Sequence, residues 1–402
     1  MFIFSNPTFS SLLDYRKGSD MLMLPIAIFT VFAISYCSFL VLIHFSRSKN
    51  TKFKFLFAPS QKSTSGAILL GGGPLLIGTA AALFFSYGIS SNLLLWAGPA
   101  ALLAFVGFLD DQFEVRARVK LFFQVAATVL FAGYFTHIHQ SDSLTFAVIT
   151  FFGLGVINGA NLLDGIDTYS IKYITLIMGA ISALSIYSGY NQLALISGLS
   201  ILPFGAFYFF NKSPSKVHLG EIGGGIMGLN ILFLCSELYV QSSSSVVSEF
   251  NASTFLFAFA FMHLPMSELG VSLLRRVLKG RSPFCGDKLH LHTLLTDREN
   301  LNAHQAANKL TLYHAFGVML VIATSMLINP IAGFFSSGVY YVSYYLHLGA
   351  KYWASTQRSE SLNSLFSSLK EERIHAYDFS SLNDFNFDFD YVEADKAASE
   401  AA

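Results

Sequence analysis

An all-α polytopic membrane protein with about eleven spanning helices is the fold class this sequence predicts, and three observations predict it. Hydrophobic residues make up 53% and charged residues only 12% of the 402-residue chain, where soluble domains carry roughly 25% charged residues. Mean hydropathy is +0.52. Apolar runs near the roughly 20 residues that a spanning helix needs recur along the chain, and the loops between them alternate between basic and non-basic.

The first run, about Met21 to Phe45, follows Arg16 and Lys17. It is too long for the apolar core of a signal peptide, and no small-x-small cleavage site follows it, so it reads as a retained membrane helix. Further runs lie near 67–89, 92–109, 119–138, 144–160, 171–188, 192–210, 222–240, 253–273, 310–328 and 331–349. The loop after the first run holds Arg47, Lys49, Lys52, Lys54 and Lys62. Later alternate loops hold Arg116, Arg118 and Lys120, then Lys172, then Lys212 and Lys216, then Arg275, Arg276, Lys279 and Arg281. The intervening loops, such as Ser90–Asn92 and the serines at 242–245, are nearly free of them. Cytoplasmic loops are enriched in Lys and Arg, so the N-terminus is expected outside and the C-terminus in the cytoplasm. Three parts follow: a short external segment 1–20, a multi-span region 21–350, and an acidic cytoplasmic tail 351–402 in which Asp384, Asp388 and Asp390 alternate with Phe385, Phe387 and Phe389. The tail reads as a solubilising extension or as the contact for a cytoplasmic partner.

The charges balance at 25 basic and 25 acidic residues, which leaves no footprint for nucleic acid. Cys37, Cys235 and Cys285 are widely spaced and form neither a disulfide framework nor a zinc-finger pattern.

Five short polar clusters interrupt the apolar chain, and all fall on the cytoplasmic side of this topology. Ionisable groups near lipid are by default functional. Asp110-Asp111 ends a span beside Arg116 and Arg118; it marks an interface or holds a divalent cation, since magnesium takes one or two carboxylates and completes its shell with water and phosphate. Asn158, Asn161, Asp164 and Asp167 recur every three residues, so a helix would stack them on one face, with Gly165 able to break it. Such a stripe suits a hydrated cleft. In Lys216 to Gly225, Glu221 stands among glycines ahead of another span; glycines there either pack closely against a neighbour or present N–H groups to an anion. Arg281 in Arg-Ser-Pro-Phe284, with Lys288, His290 and His292, makes a basic loop fit for anionic headgroups or for a diphosphate held bidentately by arginine. The two-residue spacing of the histidines suits an extended segment.

Jointly, Gly107-Phe-Leu-Asp110-Asp111, Asn158-Gly-Ala-Asn161-Leu-Leu-Asp164-Gly-Ile-Asp167, the Asn211 to Gly228 segment, and Gly280-Arg-Ser-Pro-Phe284 through His292 resemble the polyprenyl-phosphate N-acetylhexosamine-1-phosphate transferases. The similarity covers residues 60 to 310, and 20 to 350 with the spans, in the form of the branch that starts O-antigen and related glycans. It implies transfer of N-acetylglucosamine-1-phosphate or a related sugar phosphate from a UDP-sugar to undecaprenyl phosphate, with release of UMP, at a cytoplasm-facing cleft of the inner membrane. It implies magnesium, or manganese in its place. By position, Asp110, Asp111, Asp164 and Asp167 match the catalytic acids, and Asp111 and Glu221 the metal site. Asn158, Asn161, Asn211, His218, Arg281, His290 and His292 match substrate-binding positions. A homodimer is a further expectation. The chain departs from the family pattern at Glu221 for aspartate, Gly224 for serine, Thr168 for glycine, Thr293 for histidine, Glu268 for aspartate and His218 for an aromatic residue. The alternative is a catalytically altered or inactive relative acting as a membrane binding or assembly protein.

Overall fold

Each of the apolar runs read from the sequence overlies a helix. A computed structural model describes residues 20–47, 67–243, 250–278, 280, 282–283, 290–299 and 301–348. In chain order the helices are α1 (Asp20–Ser46), α2 (Gly72–Tyr87), α3 (Ser91–Phe113), α4 (Ala117–His139), α5 (Ser143–Leu162), α6 (Tyr169–Ser188), α7 (Asn191–Asn211), α8 (Gly220–Ser242), α9 (Ala252–Leu278), the short α10 (Leu291–Arg298), α11 (Ala303–Leu327) and α12 over 330–348. Nine of them are long and apolar enough to cross a membrane; α2 is apolar but has 16 residues, and α12 is rich in tyrosine. The protein is thus an all-α multi-pass membrane protein. No strand occurs among the described residues, only an isolated parallel bridge between Ile68 and Val217. Arg281, Lys288, the tail and residues 1–19 lie outside the described residues.

Local sequence sets the helix boundaries. Ser90 caps α3 by accepting from the Leu93 N–H, and Asp142 caps α5 by accepting from the Thr145 N–H at 2.8 Å, each satisfying an otherwise orphaned donor. Asn302 and Gln305 form a reciprocal capping box on α11.

The bundle is organised around α8, where every side chain from Ile222 to Tyr239 is buried. Lipid tails are as apolar as leucine, so close van der Waals packing must hold such a helix in place. Small residues allow it: a Cβ on Gly72 would lie 2.1 Å from the Gly223 nitrogen, one on Gly107 2.6 Å from the Ile222 nitrogen, and one on Gly228 2.6 Å from the Ile157 Cα. Thus α2, α3 and α5 approach α8 backbone to backbone. Backbone bonds tie the segments before α2 and α8 together, from Ile68 N–H to Lys216 O at 3.1 Å and from His218 N–H to Ile68 O at 2.8 Å. The glycines of the third cluster therefore pack.

The polar stripe departs from the sequence reading. Helix α5 stops at Leu162, so Asn158 and Asn161 share its last turns while Asp164 and Asp167 lie in the following turn. The turn closes at Thr168, whose φ of 67° is left-handed, a conformation that a β-branched residue adopts with strain. Its N–H donates to Asn211 Oδ1 at 2.7 Å, and its buried hydroxyl has no hydrogen-bond partner among the described residues. Thr168→Gly keeps the backbone bond and removes the strain. It is expected to stabilise the protein by about 1 kcal/mol, raising the melting temperature in detergent by about 2 °C; a lower melting temperature would mean that the threonine methyl packing outweighs the strain.

Candidate active site

Asp110 and Asp111 sit near the end of α3, both buried. The helix runs on to Phe113 rather than ending at the acids, so their side chains face the interior. Asp111 turns towards the start of α8, where the Glu221 N–H donates to its Oδ1 at 3.0 Å and lies 3.2 Å from its Oδ2. A carboxylate at a helix N-terminus satisfies a free donor and meets the positive end of the helix dipole. The N–H groups that the sequence offers to a ligand anion are thus engaged, in part, by the protein's own acid. Gly220 permits the approach: its φ is +70°, and a Cβ there would lie 1.8 Å from Leu69 O and 2.8 Å from Asp111 Oδ2.

Lys120, in the first turn of α4, links two acids. Its Nζ lies 3.3 Å from Asp110 Oδ2 and 2.9 Å from Glu221 Oε1. Asp110 also accepts the Val115 N–H at 2.7 Å. The second Glu221 oxygen accepts from Asn161 Nδ2 at 2.9 Å, so α3, α4, α5 and α8 meet at one cluster of two carboxylates, an ammonium and an amide. Sequence reading assigned Lys120 only to the basic loop. Its place on a helix face, one turn after Arg116, is the signal that could have separated it.

On the far side of the turn after α5, Asp164 Oδ1 accepts from Ser170 Oγ at 2.9 Å. Burial, with Asp167 and Glu221 adding negative charge nearby, pushes the Asp164 carboxyl up to about 7. Asp167 stands 3.9 Å from His218 Nδ1; burial lowers the His218 pKa, and Asp167 opposes that shift. Asn211 is buried with both ends of its amide occupied by backbone, Oδ1 by the Thr168 N–H and Nδ2 by Val217 O at 3.0 Å. It braces the two loops through these two bonds.

The histidines are not in an extended segment. His290 is the residue before α10 and His292 lies in its first turn, with their rings stacked at 5.6 Å and 14°. His292 lies on the acid turn, where a Cβ on Gly165 would fall 1.7 Å from its Nε2. Glu268 of α9, fully buried, holds this arm: its Oε2 is 3.4 Å from His290 Nδ1, and its Oε1 accepts the Leu291 N–H at 3.2 Å. Sequence reading registered Glu268 only as a departure from the pattern. His314, unassigned from sequence, is buried with its Nε2 2.9 Å from the Tyr169 hydroxyl.

A cleft of about 720 Å³ opens beside the cluster. Its lining combines Lys120, Gln124, Asn158, Asn161, Glu221 and Arg276 with Leu121, Phe151, Leu154, Leu162, Met266, Leu269 and Leu273 from α4, α5 and α9. Asn158 Nδ2 donates to Leu154 O at 2.9 Å, and Arg276 Nη1 donates to Pro283 O at 2.7 Å. Among the described residues no three His, Cys, Asp or Glu side chains converge as a metal site. Magnesium needs only one or two carboxylates beside water and phosphate, and the Lys120 ammonium already marks where a positive charge sits between acids. Asp111 and Glu221, joined through the Glu221 N–H, are the two carboxylates that would hold such an ion.

Fold and site together define a multi-pass membrane protein in which Glu221, Lys120 and the amide of Asn161 meet at a largely apolar cleft. Residues 93–238 match the model of glycosyl transferase family 4, a likeness in accord with the resemblance carried by the motifs. The chain is 27% identical over 280 residues to the undecaprenyl-phosphate alpha-N-acetylglucosaminyl 1-phosphate transferase of Yersinia pestis, covering 65% of this chain and 74% of that one. It is 25% identical over 291 residues to the protein of the same name from Escherichia coli K12, covering 67% and 76%. It is 22% identical over 282 residues to a probable undecaprenyl-phosphate N-acetylglucosaminyl 1-phosphate transferase of Bacillus subtilis, covering 66% and 76%.

Proposed function

We propose that this protein transfers a sugar-1-phosphate, N-acetylglucosamine-1-phosphate first among candidates, from a UDP-sugar to undecaprenyl phosphate. The observation that carries this reading is the cleft: a largely apolar lining that also holds Lys120, Arg276 and the amides of Asn158 and Asn161 suits a polyprenyl chain whose phosphate meets cations and donors. In the reaction an oxygen of the lipid phosphate attacks the β-phosphorus of the UDP-sugar. The bond from that phosphorus to the bridging oxygen breaks, and UMP leaves with the electron pair. Such transfers depend chiefly on positioning and charge stabilisation. Lys120 and Arg276 supply positive charge; His290 and His292, set by Glu268 and lying over the Asp164–Asp167 turn, supply donors to the diphosphate. Magnesium, held by Asp111 and Glu221, would neutralise the pyrophosphate as negative charge moves to the leaving group. The proposal is tested with purified protein, undecaprenyl phosphate and a panel of UDP-sugars, with and without magnesium, scored for UMP. Absence of UMP with every sugar would favour the reading as a binding or assembly protein.

The alternation of basic loops supports eleven crossings with the N-terminus outside, which would turn the site to the cytoplasm at the inner membrane. A single cysteine introduced at Ser243 is then expected to react with a membrane-impermeant thiol reagent in intact cells, and one at Ser213 only after permeabilisation. Labelling of both from the same side would overturn the topology.

A further inference from the structure

Two of the chain's departures from its family pattern meet in one contact. Glu221 is the longer acid, and its Oε2 is reached by Asn161 Nδ2 at 2.9 Å. Asn161 can reach it because position 224, one helical turn further along α8, has no side chain. A Cβ on Gly224 would lie 1.4 Å from Asn161 Oδ1, 2.6 Å from its Cγ and 3.2 Å from its Cα. That overlap involves the amide itself and cannot be relieved without moving the side chain out of its place. Gly224 is buried in the α8 packing, so neither helix has room to yield. With Asn161 on one oxygen and Lys120 on the other at 2.9 Å, the Glu221 carboxylate is fixed from both sides.

The geometry points to Gly224 and Asn161 as a coupled pair of positioning residues for Glu221: the side chain missing at 224 admits the amide that aims the acid. This rests on the transferase reading for its effect on turnover, but the contact itself can be tested without it.

The experiment is a double-mutant cycle on the full chain in detergent with Gly224→Ala, Asn161→Ala and both together, read by steady-state UMP release and by thermal melting. Gly224→Ala displaces the amide, and Asn161→Ala removes it. Each is expected to lower kcat by roughly 10- to 100-fold with little change in the KM for the UDP-sugar, the size of loss that follows a small misplacement of a reacting group. The double variant is expected to be no slower than Asn161→Ala alone, because once the amide is gone the new Cβ has nothing to displace. In melting, Gly224→Ala is expected to be the least stable of the three, with Asn161→Ala restoring stability to it. Losses that multiply in the double variant, or a Gly224→Ala protein with native turnover and melting, would overturn the coupling. If the native protein releases no UMP from any sugar, the transferase reading fails and the melting cycle alone decides the coupling: recovery in the double variant supports it, additive destabilisation refutes it.

Discussion

Glu221→Asp is expected to lower UMP release on the order of 100-fold, although aspartate is the residue that family resemblance would put there. Both partners of Glu221, Lys120 Nζ at 2.9 Å and Asn161 Nδ2 at 2.9 Å, lie at the end of the longer side chain. Removing one methylene withdraws the carboxylate from both, and displacements near 1 Å typically reduce rates by about two orders of magnitude. Glu221→Gln keeps the length but removes the charge that opposes Lys120, and its loss is expected to be at least as large. The comparison is made on UMP release at saturating substrate. Native turnover in Glu221→Asp would show that the position tolerates the shorter acid, and would remove the Asn161 and Lys120 contacts from the account of catalysis.

Lys120→Met is expected to affect stability as well as rate. The ammonium is the charge between Asp110, whose side chain is 5% exposed, and Glu221, whose side chain is 30% exposed. Removing it leaves two acids close together without their shared cation. Fully buried pairs lose about 3–5 kcal/mol when broken and exposed ones under about 1 kcal/mol; this half-buried pair should lose about 1–3 kcal/mol, between those limits. Turnover is expected to fall by more than 100-fold, since charge stabilisation carries most of the work in phosphoryl transfer. Millimolar magnesium is expected to restore part of the lost melting temperature in Lys120→Met, and to raise that of the native protein less, because the ion then enters where the ammonium stood. Equal response of both proteins to magnesium would place the metal elsewhere.

The spans and the acids were legible in the sequence for the same reason: in a chain so apolar, a carboxylate stands out, and a run of about 20 apolar residues has few other uses. Who touches whom was not. Glu221 meets Asp111 across 110 positions and Asn161 across 60, and no local pattern records such distances. Lys120 was concealed by the topology rule that explains every basic loop residue equally well. The three-residue spacing of Asn158 to Asp167 continues beyond the helix that it suggests, because the helix stops at Leu162, ahead of Gly165 and the left-handed Thr168, while the spacing goes on. Asn211 looks like a recognition residue in sequence; that its amide braces two backbone groups is visible only in the fold. The threonine at 168 and the glycine at 224 become interpretable only when φ and the place of a neighbouring amide are known.

The burial of α8 also bears on the order in which the chain can assemble as it is made. A helix carrying Glu221, Asn230 and Glu237 with hardly a lipid-facing side chain is a poor guest in bare bilayer. Asn230 accepts from Trp96 Nε1 at 2.8 Å and Glu237 from the Tyr87 hydroxyl at 3.1 Å, and of its packing neighbours α2, α3, α5 and α6 precede it in the chain while α9 follows. When α8 leaves the ribosome, the partners of Asn230 and Glu237 already exist, so its polar groups can be met before α9 completes the packing around it. Lys120, Asn161 and the acids from Asp110 to Glu221 are then in hand, and the arm that carries His292 to the Gly165 turn is made after them.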